Sequence, residues 1–595
     1  MIPLLPTPRE LHFTGGAPIP LTERTGTVES LDPALLATGP ETYTLSIEAA
    51  PGGIARITLT GATDAGLRHA RATLAQLRLA TADRSPPLHI HDWPAFATRG
   101  VMLDVSRCKV PTLAELERTI DLLVSLKFNH LQLYTEHTFA YTGHEEAWSG
   151  WSPITPAEAR HLDAYASTRG VALAANQNCF GHLTHWLKHP RYAPLAETHG
   201  DWEFEFFGRH FRRSGPFSLC PTDLRSLGLV RDLLSQLAPC FTSPLINIGC
   251  DETFDVGQGR SRDEVARRGR PAVYFEFVEH IAGTARSLGK RPMMWADIAL
   301  SHPGSLRMMA PDILGLAWGY EPDAAFSDWI TCLRENGNEA WVCPGTSSWR
   351  SITGRSSERT ANINAAAAQG LAAGASGYLI TDWGDNGHHQ HWPIALLGIA
   401  EAAQASWCGS LSGSGGTAPG GTGVPFVRVG HQDLLHSISL HAFNDPTTNL
   451  ATWIDQLGDL DRPIRSAANI KNASALFIDL YRPEGRPAID APLEAWLACR
   501  DRLGALARSR PPMRDALMAR ELDHTLAMAR IAVEGAIASR APSSSATAAD
   551  LARRMHLLID EHSNIWRVRN RPGGLAQSTK VLTAIASRLH PSPES

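Results

Sequence analysis

Residues Ser243 to Thr253 read SPLINIGCDET, a short apolar run that closes on two adjacent carboxylates, Asp251 and Glu252. A run of this length bounded by turn formers predicts a strand buried on both faces, as parallel sheets require. Seven comparable runs flank it: RGVMLDVS from Arg99, FNHLQLYTE from Phe128, GVALAANQNC from Gly170, RPMMWADIA from Arg291, ILGLAWGY from Ile313, EAWVCPG from Glu339 and SGYLITDWGD from Ser376. Segments with helical periodicity separate them, such as TLAELERTIDLLVSLK from Thr112 and LRSLGLVRDLLSQLA from Leu224. Eight strand-then-helix units predict an α/β chain built on a (β/α)8 barrel. The alternative, a doubly wound open sheet, needs a crevice-type site, and no glycine-rich phosphate loop follows the first strand.

The rest of the chain divides around that barrel. Residues 1–95 predict a small α+β domain, with TYTLSIEA and ARITLTG as strands and a helix presenting Leu67, Ala70, Leu74 and Leu77 on one face. The barrel spans 96–408. Residues 409–424 form a Gly/Ser-rich loop or linker by composition, and 425–595 read as mostly helical. Whether that last region pairs two copies into a homodimer, caps the barrel or does neither stays open. Trp566 to Ser578, WRVRNRPGGLAQS, reads as a turn in preference to a loop reaching an active-site rim.

Composition narrows the function classes. The chain has 595 residues and a formal net charge of −5 without a dense basic run, which argues against nucleic acid as the main partner. No apolar stretch is long enough to span a membrane, and MIPLLPTPRELHF lacks the regions of a signal peptide, so the expected location is the cytoplasm. The nine cysteines contain no C-x-x-C pair; Cys179, Cys250 and Cys343 fall on expected buried strands, and neither disulfides nor a zinc cluster is expected. Sixteen tryptophans, many at strand ends, suit stacking on a sugar face.

In a barrel, the C-terminal strand ends converge on one rim. Strand by strand they carry Asp104, Ser106 and Arg107; Tyr134, Glu136 and His137; Asn176, Asn178 and His182; Asp251 and Glu252; Trp295 and Asp297; Trp318 and Tyr320; Ser347, Ser348 and Trp349; and Asp382, Trp383 and Asp385. Carboxylates that accept hydroxyl hydrogen bonds, between tryptophan walls, suit a neutral polyhydroxylated ring. Read blandly, Asp251-Glu252 is a strand-end turn with a helix cap, Arg107 is an ion-pair partner of Asp104 or Asp385, and His182 is a core histidine. Asp263-Glu264 and Asp560-Glu561 are also acidic pairs, and both read as helix surface.

These residues resemble glycoside hydrolase family 20, the β-N-acetylhexosaminidases, over roughly residues 1–400, and fit a divergent branch near hexosaminidase D-like proteins. RGVMLDVSRCKVP is similar to the family's first strand, with Arg107 at the arginine that holds outer sugar hydroxyls and Cys108 where histidine is usual. FGH at Phe180 to His182 is similar to Pro-Gly-His, and IGCDET to Gly-Gly-Asp-Glu with Cys250 replacing the second glycine. Trp295, Trp318 and Trp383 match the tryptophans that box the N-acetyl group and the ring. Glu136 stands where aspartate is usual, and Asp385 where glutamate is common. The seventh strand lacks the tyrosine that touches the acetamido oxygen; Trp349, Ser347 and Tyr320 are the candidate replacements.

The resemblance implies an exo-acting, retaining enzyme for terminal β-linked N-acetylglucosamine or N-acetylgalactosamine, without cofactor. Family 20 departs from the two-carboxylate scheme of most retaining glycosidases: the substrate's own 2-acetamido oxygen attacks. Glu252 would be the general acid and base, and Asp251 would orient the acetamido N–H. Adjacent strand residues face opposite ways, which suits this division better than two carboxylates flanking one bond. Two other readings compete: a catalytically silent carbohydrate-binding protein on the same barrel, and a barrel glycosidase for another sugar with an ordinary nucleophile. His388, His389 and His391 invite a metal reading, but no complementary ligand set follows the first strand, so no metal is expected. The segment reads as opening a helix, on which His388 and His391 could share a face.

Overall fold

The computed structural model describes residues 2–21, 26–51, 54–206, 209–410, 429–483, 486–541 and 545–589. Eight parallel strands close into a barrel: β1 (Thr98–Asp104), β2 (His130–Tyr134), β3 (Ala172–Asn176), β4 (Leu245–Asn247), β5 (Arg291–Trp295), β6 (Leu314–Trp318), β7 (Ala340–Cys343) and β8 (Gly377–Asp382). Closure comes where Gly377 to Asp382 register against Thr98 to Leu103. The expected strands are all present, and their near-continuous burial explains why they read as unbroken apolar runs.

β4 departs from expectation. The apolar run reaches Thr253, but the strand ends at Asn247, because Gly249, Cys250 and Glu252 all take left-handed backbone, with φ of 71°, 72° and 51°. At Gly249 a Cβ would collide with the Asn178 side-chain amide, so only glycine fits. Cys250 and Glu252 adopt conformations that side-chain-bearing residues rarely take. Asp251 and Glu252 therefore stand on a coiled loop, and the strand rule of opposite faces does not govern them. Cys179 likewise lies beyond β3; of the three cysteines expected on strands, Cys343 alone sits in one. All nine cysteines are free thiols.

The N-terminal part is a five-stranded mixed sheet covered by the helix Asp64–Ala80. Thr63 caps that helix, its hydroxyl accepting from the Ala65 N–H at 3.2 Å, and Leu67, Ala70, Leu74 and Leu77 are buried against Leu45, Ile57, Leu59 and Ile90. The seam with the barrel is ionic. Arg99 donates to both oxygens of Glu41 at 2.7 and 2.9 Å, and Lys127 donates to Asp92 at 2.9 Å.

After β8, helix α1 (Trp392–Cys408) is buried along nearly its whole length and ends at Gly409 in the left-handed region. The expected Gly/Ser-rich loop lies, from residue 411 onward, outside the described residues. Among the C-terminal helices, α2 (Ala516–Ala538), α3 (Ser545–Arg569) and α4 (Leu575–Leu589) pack back on the same chain's barrel. Arg569 at the end of α3 pairs with Glu115 at 2.6 Å and Glu521 at 2.7 Å, and Arg571 pairs with Glu158 at 2.9 Å. Within Trp566 to Ser578, residues 570–574 form the turn between the end of α3 and the start of α4, and that turn also touches the rim. Gly574 packs so closely on the Cys108 carbonyl, beside Arg107, that no side chain fits. No described helix is long and apolar enough to cross a membrane.

Candidate active site

The loops after the eight strands bring the expected residues to one end of the barrel. Asp104 organises the first of them. Its Oδ1 accepts from the backbone N–H of Ser106 and Arg107, and its Oδ2 from Gly384 N–H at 3.0 Å, tying the β1 loop to the β8 loop. Arg107 then projects inward. It lies 3.2 Å from Asp385, 3.6 Å from Glu136 and 3.4 Å from Asp104, with its guanidinium over the rings of Trp383 and Tyr134. The ion pairs of the bland reading exist, and they hold the guanidinium on the rim rather than away from it.

His182 joins this cluster to the acidic pair. Its Nδ1 accepts from Arg107 Nη2 at 3.3 Å. Its Nε2 lies 3.1 Å from Asp251 Oδ2 and 3.5 Å from Glu252 Oε2. Burial works against a charge on His182, but Asp251 and then Glu252 outweigh it and push the imidazole up. The acidic pair splits in the opposite sense. Burial penalises the Asp251 carboxylate, yet the adjacent His182 overcomes this and holds it below the usual range. Burial raises Glu252; His182 pulls it back in part, Asp251 repels its charge, and the net shift is upward. Neighbouring carboxyls pushed apart in this way have the signature of an ionised group beside a proton donor.

Asp251 Oδ1 is buried without a hydrogen-bond partner, as are Trp295 Nε1 and Asp297 Oδ1. Native proteins satisfy nearly all buried polar atoms, so three orphans at one rim need an explanation. Asp297 carries the backbone: its Oδ2 accepts from Glu252 N–H at 3.0 Å, which stabilises the left-handed turn. Burial, then the charge of Asp251, pushes its carboxyl well up.

The aromatic residues form one connected wall. Trp295 and Trp383 have centroids 5.8 Å apart, Trp318 stacks on Tyr320 at 5.2 Å, and Trp349 meets Tyr320 edge-on at 4.9 Å. Trp383 Nε1 donates to the Tyr320 hydroxyl at 2.8 Å. Of the candidates for the missing tyrosine, Ser347 is wholly buried and its hydroxyl accepts from Arg355, and Trp349 is 2% exposed behind Tyr320. Tyr320 alone brings a hydroxyl to the tryptophan wall.

Some of the site was named at strand ends without its role, and some was missed. Tyr134, expected at the rim, donates from its hydroxyl to Glu136 Oε1 at 2.9 Å and accepts from Asn178 at 2.8 Å, fixing the carboxylate beside Arg107. Asp297 was visible at a strand end, but its support of the Glu252 backbone depends on a loop conformation. Arg213 lies over Phe217 at 5.1 Å, and Phe217 packs on His182 at 4.7 Å. Arg350 is partly buried with φ of 48° and an unpartnered Nε. Both arginines sit near enough for charge interaction with Glu252, and nothing in their surrounding sequence marks them.

Positions 96–330 match the glycosyl hydrolase family 20 catalytic domain. A β-hexosaminidase of Emericella nidulans is 24% identical over 295 residues, which is 46% of this chain and 48% of that protein. Human hexosaminidase D is 23% identical over 214 residues, 35% of this chain and 41% of that one. The matched stretch thus spans less than half the length of each of these relatives. In fold, the chain is similar to Flavobacterium johnsoniae chitobiase, with a TM-score of 0.56 at 14% identity over 98% of this chain and 99% of that chain. It is also similar to an exo β-N-acetylglucosaminidase from Vibrio harveyi in complex with N-acetylglucosamine, with a TM-score of 0.54 at 17% identity over 68% and 73% of the two chains.

Proposed function

We propose that this chain, whose barrel is a glycoside hydrolase family 20 domain, is an exo-acting β-N-acetylhexosaminidase that releases terminal β-linked N-acetylglucosamine or N-acetylgalactosamine with retention. The observation that carries this reading is Asp251. It is an ionised carboxylate with one oxygen against His182 and the other buried without a partner. A substrate amide N–H is the donor such an acceptor calls for.

The chemistry then divides by residue. Glu252, whose carboxyl burial raises and whose side chain is 23% exposed, gives its proton to the glycosidic oxygen as the bond to the anomeric carbon breaks. The acetamido carbonyl oxygen attacks that carbon from the opposite face and forms an oxazolinium ring. Asp251 accepts the acetamido N–H and stabilises the positive charge that develops there. The Glu252 carboxylate next takes a proton from water, whose oxygen reopens the ring at the anomeric carbon. The Tyr320 hydroxyl steadies the acetamido oxygen in place of the seventh-strand tyrosine. Arg107, Glu136 and Asp385 hold the outer hydroxyls, and Trp295, Trp318 and Trp383 enclose the ring, with Trp349 backing Tyr320.

The test pairs a nitrophenyl β-N-acetylglucosaminide with the plain β-glucoside and adds a thiazoline that mimics the cyclised acetamido group. Turnover of the acetamido sugar alone, inhibited by the thiazoline, is expected. Equal turnover of both sugars, indifferent to thiazoline, would mean an ordinary carboxylate nucleophile. Tight binding of N-acetylglucosamine without turnover would make the chain a binding protein.

A further inference from the structure

Three histidines from separate parts of the chain meet behind the rim. His391 immediately precedes α1, His524 lies on α2 and His562 on α3, and all three are buried. One nitrogen from each lies within 4.8 Å of the other two. The nearest pair is His391 Nε2 and His524 Nδ1, at 2.9 Å.

Their protonation is fixed by their outer partners. His524 Nε2 faces the Leu558 carbonyl at 3.0 Å, so that nitrogen carries the hydrogen and Nδ1 is a lone pair. His562 Nε2 lies 3.0 Å from Ser578 Oγ, whose own proton goes to the Gly387 carbonyl at 2.6 Å. His562 Nε2 is therefore also the N–H, and its Nδ1 is a buried lone pair without a partner. Hydrogen bonding alone cannot satisfy this cluster. A proton on His391 Nε2 serves His524 and leaves His562 unpaired, at a cost of about 1–3 kcal/mol.

We propose that His391, His524 and His562 bind one divalent cation of the zinc class. Imidazoles that turn a lone pair inward, with His524 and His562 held from behind by a carbonyl and a hydroxyl, are the ligand form that zinc takes. Zinc–nitrogen bonds of about 2.0–2.1 Å set tetrahedral ligand nitrogens about 3.3 Å apart, so the 2.9 Å pair opens slightly and the third nitrogen moves in. A fourth position is available on the adjoining cavity, which Glu521, Asp382 and Lys109 help to line. Lys109 and Arg569 oppose a cation there, and the carboxyl groups of Glu115, Asp382 and Glu521 on the same wall offset them. The ion is a clamp: it joins the β8 loop, which carries Trp383 and Asp385, to two helices of the C-terminal region.

The experiment uses the untagged full-length protein, purified without chelator and never exposed to a metal-affinity resin. Elemental analysis is expected to find about one zinc per chain. After stripping with dipicolinate, cobalt(II) is expected to restore the visible absorption of a four-coordinate site, and zinc(II) to raise the thermal midpoint by about 2 °C or more. His562→Phe, checked for native circular dichroism, should abolish both responses while wild type shows them. If His562→Phe does not fold, His524→Gln takes its place, and the wild-type cobalt spectrum stands as a separate criterion. A stripped wild-type protein that gives neither a cobalt band nor a zinc-dependent midpoint overturns the proposal, as does a folded His562→Phe protein that retains the metal.

Discussion

Two buried ionic clusters sit at opposite ends of the same barrel, and they differ in how completely they are satisfied. At the seam with the N-terminal domain, Asp92 Oδ1 accepts from the backbone N–H of Arg9 and Trp93 and from Trp407 Nε1; its Oδ2 accepts from Tyr43 and Lys127. Arg99 spends its donors on Glu41 and on the Lys127 and Phe96 carbonyls. At the rim, Asp251 Oδ1, Asp297 Oδ1 and Trp295 Nε1 have no partner, and the backbone under Glu252 is left-handed. Both clusters bury charge, which costs free energy unless the partners are complete. The complete cluster is structural. The incomplete one is arranged for a group that the protein does not itself contain.

That contrast predicts opposite phenotypes. The largest effect belongs to Glu252→Gln, which should lower kcat on the nitrophenyl N-acetylglucosaminide about 10³–10⁴-fold while leaving thermal stability near wild type. Activity retained in that variant would end the assignment of Glu252. Lys127→Met should do the reverse, costing about 3–5 kcal/mol of stability, because Asp92 loses its buried counter-charge. A denaturant titration reads that loss, and kcat of the folded fraction should not change. Tyr320→Phe should reduce kcat/KM about 10–100-fold for the acetamido substrate. An unchanged value would remove Tyr320 from the role of the missing tyrosine.

The smallest effect is a displacement on the pH axis. Asp251 must be ionised and its carboxyl is lowered, so the acid limb of kcat/KM should lie below the ordinary carboxylate range. Glu252 must be protonated and is raised, so the alkaline limb should lie above it. His182 lowers both carboxyls. In His182→Asn both should rise and both limbs move to higher pH. A profile that stays in place would mean that His182 does not set the split.

Much of the fold was legible because each strand is buried on both faces and so leaves an unbroken apolar run. The same property hid the end of β4. Apolarity continues through Ile248 and Cys250 although the backbone has already turned, and hydrophobic pattern carries no information about the sign of φ. Gly249 was the available hint. In the same way, the histidine segment reads as opening a helix on which His388 and His391 could share a face, yet α1 begins only at Trp392, after both. The strand-end residues named from sequence do gather at one rim, since barrel topology forces them together. Arg213, Arg350 and the partners His524 and His562 depend on how hairpins, loops and distant helices pack. No spacing along the chain records that.

Trp407 has a further consequence. It belongs to the last barrel helix, yet its indole is wholly buried in the core of the N-terminal domain, where it donates to Asp92 and lies under Lys127 and Arg99. Synthesis delivers residues 1–95 long before it delivers residue 407. At ordinary translation rates the gap is on the order of 15–60 s. Throughout that interval this domain has its sheet and helix but not the ring that completes its interior. Its final packing waits for the barrel to close.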